Sequence, residues 1–495
     1  MNILDRAIGW FAPQTGAKRA RARVAMSLMA RSYDGASTGR RTDGWNTSGT
    51  SANAEIGPAL ARLRARSRDL VRNNPYAARV VDIWAANVVG TGIMPQSRTG
   101  NEDLDRQVNA LFRRWSEQCD AEGQLDFAGL QTLILRTVVE GGEALPRHRN
   151  RRPEDGMPVP YQVQVLEGDF LDSSRDSTLT GRRTVQGVEF DPLDRRTGYW
   201  LFRTHPGDPY SMTAEGLTSA LVPASEVMHV YRKLRSGQVR GVPWFAPVLL
   251  KARDLDDFHE AAIVRARMEA CIGMVVTQAE DGTERPIGVT SETADGRRVE
   301  GMEPGMVPYL KPGESVQFLN PTASPSFDPF TLHTLMAMAV GTGVTYDQMT
   351  GDLRQANYSS LRAGKVEFRR LVEQAQWQML IPMFCAPVWR RFIETAVLSR
   401  QLPAGDYPVE WATPAHEPID PVKDMQADIL AVRTGRLTWE QFVALWGFDP
   451  KQQLADIARI NAAMDEAGVT LDTDPRKVTK AGGAQQAQQG DPQNA

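Results

Sequence analysis

The sequence predicts an α+β fold, mainly helical, and three observations carry that expectation. Apolar residues recur with a helical period over most of the chain, whereas between about 145 and 235 the period falls to two. The helical stretches are not interleaved one by one with the strand-like ones, so a parallel doubly wound sheet is not expected. With 495 residues, 41% hydrophobic and 24% charged, the chain has a soluble composition and room for several cores.

The elements follow in order. Residues 1–54 read as a basic, flexible N-terminal arm: Met1–Phe11 suits a short docking helix, and residues 32–54 are rich in Gly, Ser and Thr. Residues 1–75 hold thirteen Lys/Arg against five acids, a net of +8, and the chain total of −3 leaves −11 for the remainder. Such an arm suits an acidic partner, although solvated charge explains it equally well. Ile56 to Trp84 reads as two helices, with Asn74 as N-cap and Pro75 in the first turn of the second. Val88-Val-Gly-Thr-Gly-Ile-Met-Pro95 is a glycine-punctuated exit, and Leu104–Trp115 and Phe127–Glu140 are further helices.

Val159, Tyr161, Val163 and Val165 alternate with Pro160, Gln162 and Gln164, as in a half-buried strand. Val185–Phe190 and Tyr199–Phe202, joined by a turn at 194–198, read as a hairpin, and Glu226–Tyr231 closes this β-rich insert. Val248–Ile272, with Gly273 as its cap, is a rod of about 37 Å whose seam is Leu249, Ala252, Leu255, Ala262, Ala266 and Ala270. So thin a seam under so many charges needs neighbours, and identical helices of sister subunits would serve. After a Gly/Pro-rich excursion with short strands at 273–277 and 315–319 comes Phe330–Val340, apolar almost all round. A polar turn carrying Asp352, Arg354, Gln355, Asn357 and Tyr358 separates it from a long helix starting at Ser359. Leu361, Phe368, Val372, Ala375 and Met379 share one stripe of that helix, and Pro382 and Pro387 are expected to kink or end it. Helices at Thr438–Trp446 and Pro450–Ala467 precede a Gln/Gly/Ala tail expected to be disordered.

Candidate chemistry is sparse. Cys119, Cys271 and Cys385 are odd in number and widely spaced, which fits reduced buried thiols in a cytoplasmic chain. No segment reaches the length of a membrane span, and Asp5 and Arg6 interrupt the apolar start, so no secretory signal is expected. The six histidines show no metal-ligand spacing, and no phosphate-cradling glycine loop is present, so neither metal nor cofactor is expected. Glu167, Asp169 and Asp172 follow a strand as the carboxylates of a metal-dependent nucleic-acid-processing enzyme do, or simply as a polar exit from the strand. Arg62-Leu-Arg-Ala-Arg-Ser-Arg68 spreads charge around a helix, either solvated or aimed at phosphate.

Five segments together resemble the portal proteins of lambda-like tailed phages: Ser67–Ala77, Val88–Gly92, Gly237–Pro247, Leu310–Ser315 and Gly351–Arg362. The resemblance covers residues about 55–450 and implies a portal fold assembled as a ring of twelve copies at one capsid vertex. It implies a wing over 55–246, a stem helix at 247–273, a clip at 274–326 and a second stem helix at 327–343. A channel loop at 344–358, a long wing helix at 359–400 and a crown at 401–470 follow, with 471–495 as the tail. The implied partners are sister copies, double-stranded DNA contacted without regard to sequence, the large terminase, capsid or scaffold proteins and the head–tail connector. The implied place is the virion, after assembly in the host bacterial cytoplasm, with no catalytic role. A conduit has to hold DNA without trapping it, so weak contacts from Arg354, Gln355 and Asn357 are the expected DNA-facing set.

Overall fold

The computed structural model describes residues 40, 43–44, 47–178, 182–209, 218–271, 275–277, 289–292, 298–301, 315–317, 327–354, 357–414, 420–446, 448, 450–471, 474 and 476–477. It divides into two units, Met1–Ser51 and Ala52–Ala495. In the first, which holds most of the basic arm, the Ser48 hydroxyl lies 3.0 Å from that of Thr50. The proposed docking helix and most of the tail fall outside the described residues.

In the second unit, α1 (Ala52–Asn73) begins four residues before the expected start and carries Pro58 near its beginning. Asn74 then caps α2 (Pro75–Val88): its side-chain oxygen accepts from the amides of Tyr76 and Ala77, each at 3.0 Å. Gly90 and Gly92 take φ of +49° and +111°, and a Cβ on Gly92 would come within 2.8 Å of Ala128 Cβ, so this exit needs glycine. Strand β1 (Met94–Ser97), α3 (Glu102–Ser116) and α4 (Phe127–Gly141) follow. The last two are the helices the periodicity predicts.

The β-rich insert forms two antiparallel sheets. The first joins β2 (Glu143–Asn150), β3 (Tyr161–Glu167) and β8 (Val230–Tyr231) in the order β3-β2-β8, with Ala144 facing Glu167 and Asn150 facing Tyr161. Val159, Tyr161 and Val163 are buried, as alternation requires, but the pattern slips at the end of β3, where Val165 is half-buried and Leu166 buried. The second is a meander of β4 (Arg183–Val185), β5 (Val188–Phe190), β6 (Arg196–Phe202) and β7 (Ser219–Pro223). The single strand expected over Val185–Phe190 is thus two, turned at Gln186 (φ +49°) and Gly187 (φ +87°). Two successive positive φ values make the tight turn that suits the twist of a hairpin.

Helix α5 (Leu249–Cys271) is the long charged rod, although residues 272–274, including the expected cap Gly273, lie outside the described residues. Short pairs β9 (Val275–Thr277) with β12 (Ser315–Gln317), and β10 (Val289–Glu292) with β11 (Arg298–Gly301), are the described parts of the next excursion. Helix α6 (Phe327–Thr342) returns against α5, where the Phe258 ring centre lies 4.4 Å from that of Phe330. After α7 (Tyr346–Thr350), α8 (Tyr358–Ala375) runs into a π-helical stretch, Gln376–Cys385, and then α9 (Ala386–Leu398). The prolines neither end nor break this rod. Pro382 sits inside the wider π turns, where the Ala386 amide reaches back five residues to the Ile381 carbonyl, and Pro387 follows in α9 with the backbone still helical.

Strand β13 (Val409–Ala412) then pairs with β1, with Met94 facing Ala412, so the chain beyond residue 401 first rejoins the N-terminal part. Leu402 and Tyr407 are buried in the same core. Helices α10 (Pro421–Arg433), α11 (Trp439–Leu445) and α12 (Pro450–Ala467) close the described chain, α10 being unforeseen. The main core gathers α2, α3, α4, β3 and the α8–α9 rod around aromatics: Trp115 stacks on Tyr161 at 5.3 Å, and Phe112 meets Phe392 at 5.1 Å. A smaller core of Leu145, Leu171, Val188, Phe190, Tyr199 and Leu201 lies between the two sheets. Among the described residues no helix is long and apolar enough to cross a membrane.

Candidate functional site

The polar turn is built between two rigid helices. Gly343 (φ +77°) ends α6, and a Cβ there would meet Trp84 at 3.3 Å. The Trp84 indole N–H donates to the Thr342 carbonyl at 3.1 Å, which fixes the end of α6 on α2. Within the turn, Thr345 and Gln348 cap α7, a short helix the sequence reading missed, and Gly351 (φ +71°) terminates it. Asp352, Leu353 and Arg354 lie just beyond.

The expected DNA-facing residues differ in what their side chains do. Arg354 is 86% exposed and forks onto Asp352, with Nε 2.9 Å from Oδ1 and Nη2 2.8 Å from Oδ2. That hydrogen bonding holds the Asp352 carboxyl well below the usual range and raises Arg354. Asn357 is exposed and caps α8, its Oδ1 accepting from the Ser360 amide at 2.8 Å, which leaves its amide group for other contacts. Gln355 lies outside the described residues.

The second candidate set, the carboxylates after β3, meets the basic run of α1. Arg68 Nη2 lies 2.6 Å from both Glu167 Oε2 and Asp169 Oδ2, and Arg64 Nη1 lies 3.3 Å from Asp169 Oδ1. The two stretches that separately suggested metal binding and phosphate binding therefore neutralise each other. Glu167, Asp169 and His205 do bring ligand atoms within 4.8 Å of one another, yet Arg68 already fills the carboxylate side of that space. Burial opposes ionisation of Asp169, and Arg64 and Arg68 more than offset it. Asp172 belongs to a different network, accepting from Ser174 and Ser219 hydroxyls at 2.6 Å each. Asp172 therefore stands apart from Glu167 and Asp169. Arg62, Arg66 and Arg72 remain exposed on α1.

Beneath this pair lies a buried ionic hub that sequence reasoning missed. Glu143, fully buried at the start of β2, accepts from Arg64 Nη2 at 2.8 Å, Arg240 Nη2 at 2.5 Å, the Gly241 amide at 2.8 Å and His229 Nε2 at 2.9 Å. Arg240, 1% exposed, also donates to the carbonyls of Gln186 and Gly168, each at 3.0 Å. Because Glu143 can only accept, His229 donates from Nε2, and its Nδ1 accepts from Arg196 at 2.9 Å. Burial holds His229 down to about 4, partly offset by Glu143. Burial alone would raise Glu143, but Arg240, His229 and Arg64 hold it well below the carboxylate range. The hub ties α1, both sheets and the 237–247 segment together. Its one visible trace in the sequence is an Arg among Val239, Gly241 and Val242, whose partner 97 residues earlier nothing local reveals.

The apolar faces of the two long helices differ from an ordinary core. In α5, Ala252 and Leu255 are buried, whereas Ile263 and Val264 are 53% and 45% exposed, as is Ala266 of the expected seam. In α6, one side buries Leu335, Met338 and Ala339, and the other leaves Met336 and Val340 at 43% and 81% exposure.

Residues 38–376, well over half of the chain, match the family described as "Phage portal protein, lambda family". The probable portal protein of Halomonas phage phiHAP-1 is 28% identical over 390 residues, covering 75% of this chain and 74% of the relative. Portal protein B of Escherichia phage lambda is 23% identical over 494 residues, covering 88% and 90%. Among solved structures, a chain from the neck of a native gene transfer agent particle, computed with C12 symmetry, aligns at TM-score 0.42 and 17% identity, covering 77% of this chain and 93% of that one. An HK97-family phage portal protein from Corynebacterium diphtheriae aligns at TM-score 0.31 and 10% identity. The family match runs from the arm through the paired sheets and both long helices into α8, more than two thirds of the sequence, and on it the chain belongs to the lambda family of phage portal proteins.

Proposed function

We propose that twelve copies of this chain form the ring at the unique vertex of a phage capsid, and that double-stranded DNA passes through the ring's channel during packaging and ejection. The role is structural, not catalytic, and its place is the virion. The large terminase and later the head–tail connector dock on the 274–326 excursion, while capsid or scaffold proteins hold the ring's outer surface. The turn 344–358 projects into the channel and offers Arg354, Gln355 and Asn357 to the DNA backbone.

The observation that carries the ring is α6. Over Phe330–Val340 it is apolar almost all round, yet a single chain buries only one side, leaving Met336 and Val340 at 43% and 81% exposure beside the exposed His333. A helix apolar all round is a buried helix, so a surface outside the single chain is required to cover it. Sister copies supply that surface in a closed symmetric assembly. Electron micrographs of the purified chain test this, with twelvefold rings expected and a monodisperse single-copy particle refuting it. Replacing Arg354, Gln355 and Asn357 together by alanine tests the turn: reduced packaging or genome retention is expected, and unchanged values for both remove the three residues from the channel.

A further inference from the structure

We propose that Asp352 acts as a built-in substitute for a DNA phosphate, keeping Arg354 occupied so that the turn grips DNA only transiently. The inference rests on the channel reading of residues 344–358 and names the device that regulates contact there.

The argument begins with charge. Between 344 and 358 the only ionisable groups at neutral pH are Asp347, Asp352 and Arg354, so the turn has one cation to offer to DNA. That cation is not idle. Its guanidinium takes both oxygens of Asp352 in a fork, at 2.9 and 2.8 Å, the same planar recognition Arg gives a phosphate. The two partners are not equivalent. Asp352 is held from below: its amide donates to Thr350 Oγ1 at 3.1 Å, and its Oδ2 accepts from the Tyr346 hydroxyl at 3.3 Å. Its side chain is 22% exposed, against 86% for Arg354. The carboxylate is therefore the fixed anchor and the guanidinium the exposed head, with Nη1 outside the fork. An exposed pair of this kind is worth little in stability, so carboxylate and phosphate compete on near-equal terms: a passing phosphate has to displace Asp352, which weakens its hold, and Asp352 recaptures the arginine afterwards. A turn with the arginine alone would add a full phosphate contact per subunit, and each contact steepens the dependence of binding on salt by about 0.9 in log–log slope.

The test uses the assembled full-length ring and a short fluorescent DNA duplex, with affinity measured across a salt series. Asp352→Asn keeps the acceptor for the Arg354 amide but removes the charge. Arg354→Lys keeps the charge but loses the fork, which covers the case in which the asparagine variant fails to assemble. Both are expected to bind more tightly and with a steeper slope, each new contact adding about a 3.5-fold loss of affinity over a fourfold rise in salt. Asp352→Asn combined with Arg354→Ala is expected to remove the gain. If Arg354→Ala weakens binding while Asp352→Asn and Arg354→Lys match wild type, the proposal falls and the channel reading stands. If all four match wild type, the turn does not meet DNA and both fall.

Discussion

Replacing Glu143 by glutamine tests the buried hub directly. The carboxylate is fully buried and accepts from two guanidinium groups, an imidazole and a backbone amide. Glutamine has nearly the same shape, but its amide turns one acceptor into a donor, facing only other donors; it leaves Arg240 buried without a counter-charge and Arg64 with Asp169 alone. Removing one partner of a buried ion pair costs about 3–5 kcal/mol, more than a hundredfold in the folding equilibrium. Urea unfolding followed by far-ultraviolet circular dichroism reads it as a lower midpoint. Glu167→Gln is the control: that carboxylate is 47% exposed, and its pairing with Arg68 is worth about 0–1 kcal/mol. A loss at Glu143 no larger than at Glu167 would refute the reasoning, since it would mean water or rearrangement satisfies the arginines. Replacing Glu143, Arg64 and Arg240 together by Leu, Met and Met is expected to recover much of the loss, because an apolar set leaves far less charge unpaired.

Stability should fall as pH drops from 6.5 towards 4. His229 and His148 are both held down to about 4 by burial, so below their ordinary value the unfolded chain binds protons that the folded chain does not. Each contributes up to about 1.4 kcal/mol per pH unit, and His229→Gln should halve the slope of unfolding free energy against pH in that window. Glu143, also lowered, adds a further loss below the ordinary carboxylate range. Gly241→Ala should cost about 3 kcal/mol or abolish folding, because the added Cβ would sit 2.1 Å from the Gly142 carbonyl oxygen; wild-type thermal unfolding would contradict this. Val340→Asp with Met336→Asp should leave subunit stability within about 0.5 kcal/mol yet block assembly, as read by size-exclusion mass.

Local chemistry made much of the fold legible. Asn74 before Pro75 announces a helix start because a side-chain acceptor followed by a residue without an amide suits only that position. Val159, Tyr161 and Val163 announce a strand because alternate burial has a period of two. The long-range features were not legible. Strand β13 pairs with β1 across more than three hundred residues, and neither is apolar enough to stand out. Arg64 and Arg68 look like any solvated run, and only the fold brings Glu143, Glu167 and Asp169 to them. The Gln186–Gly187 turn hid because Gln seldom adopts positive φ, so only the glycine hinted at it. Of the candidate DNA-facing residues, the sequence marked Arg354 as a polar group on the turn, but not that Asp352 two residues earlier holds it.

The π-helical stretch from Gln376 to Cys385 has a mechanical consequence. A proline inside an α-helix normally creates a hinge, and load applied at one end is dissipated by bending there. Here the widened turns carry the chain past Pro382, so the backbone stays helical without interruption from Tyr358 to Leu398. One end is tipped by the Asn357 cap, and the other is wedged by Trp389 and Phe392 into the aromatic centre of the protein. The turn at Asn357 and the deepest part of the subunit thus share a single unbroken run of helical backbone.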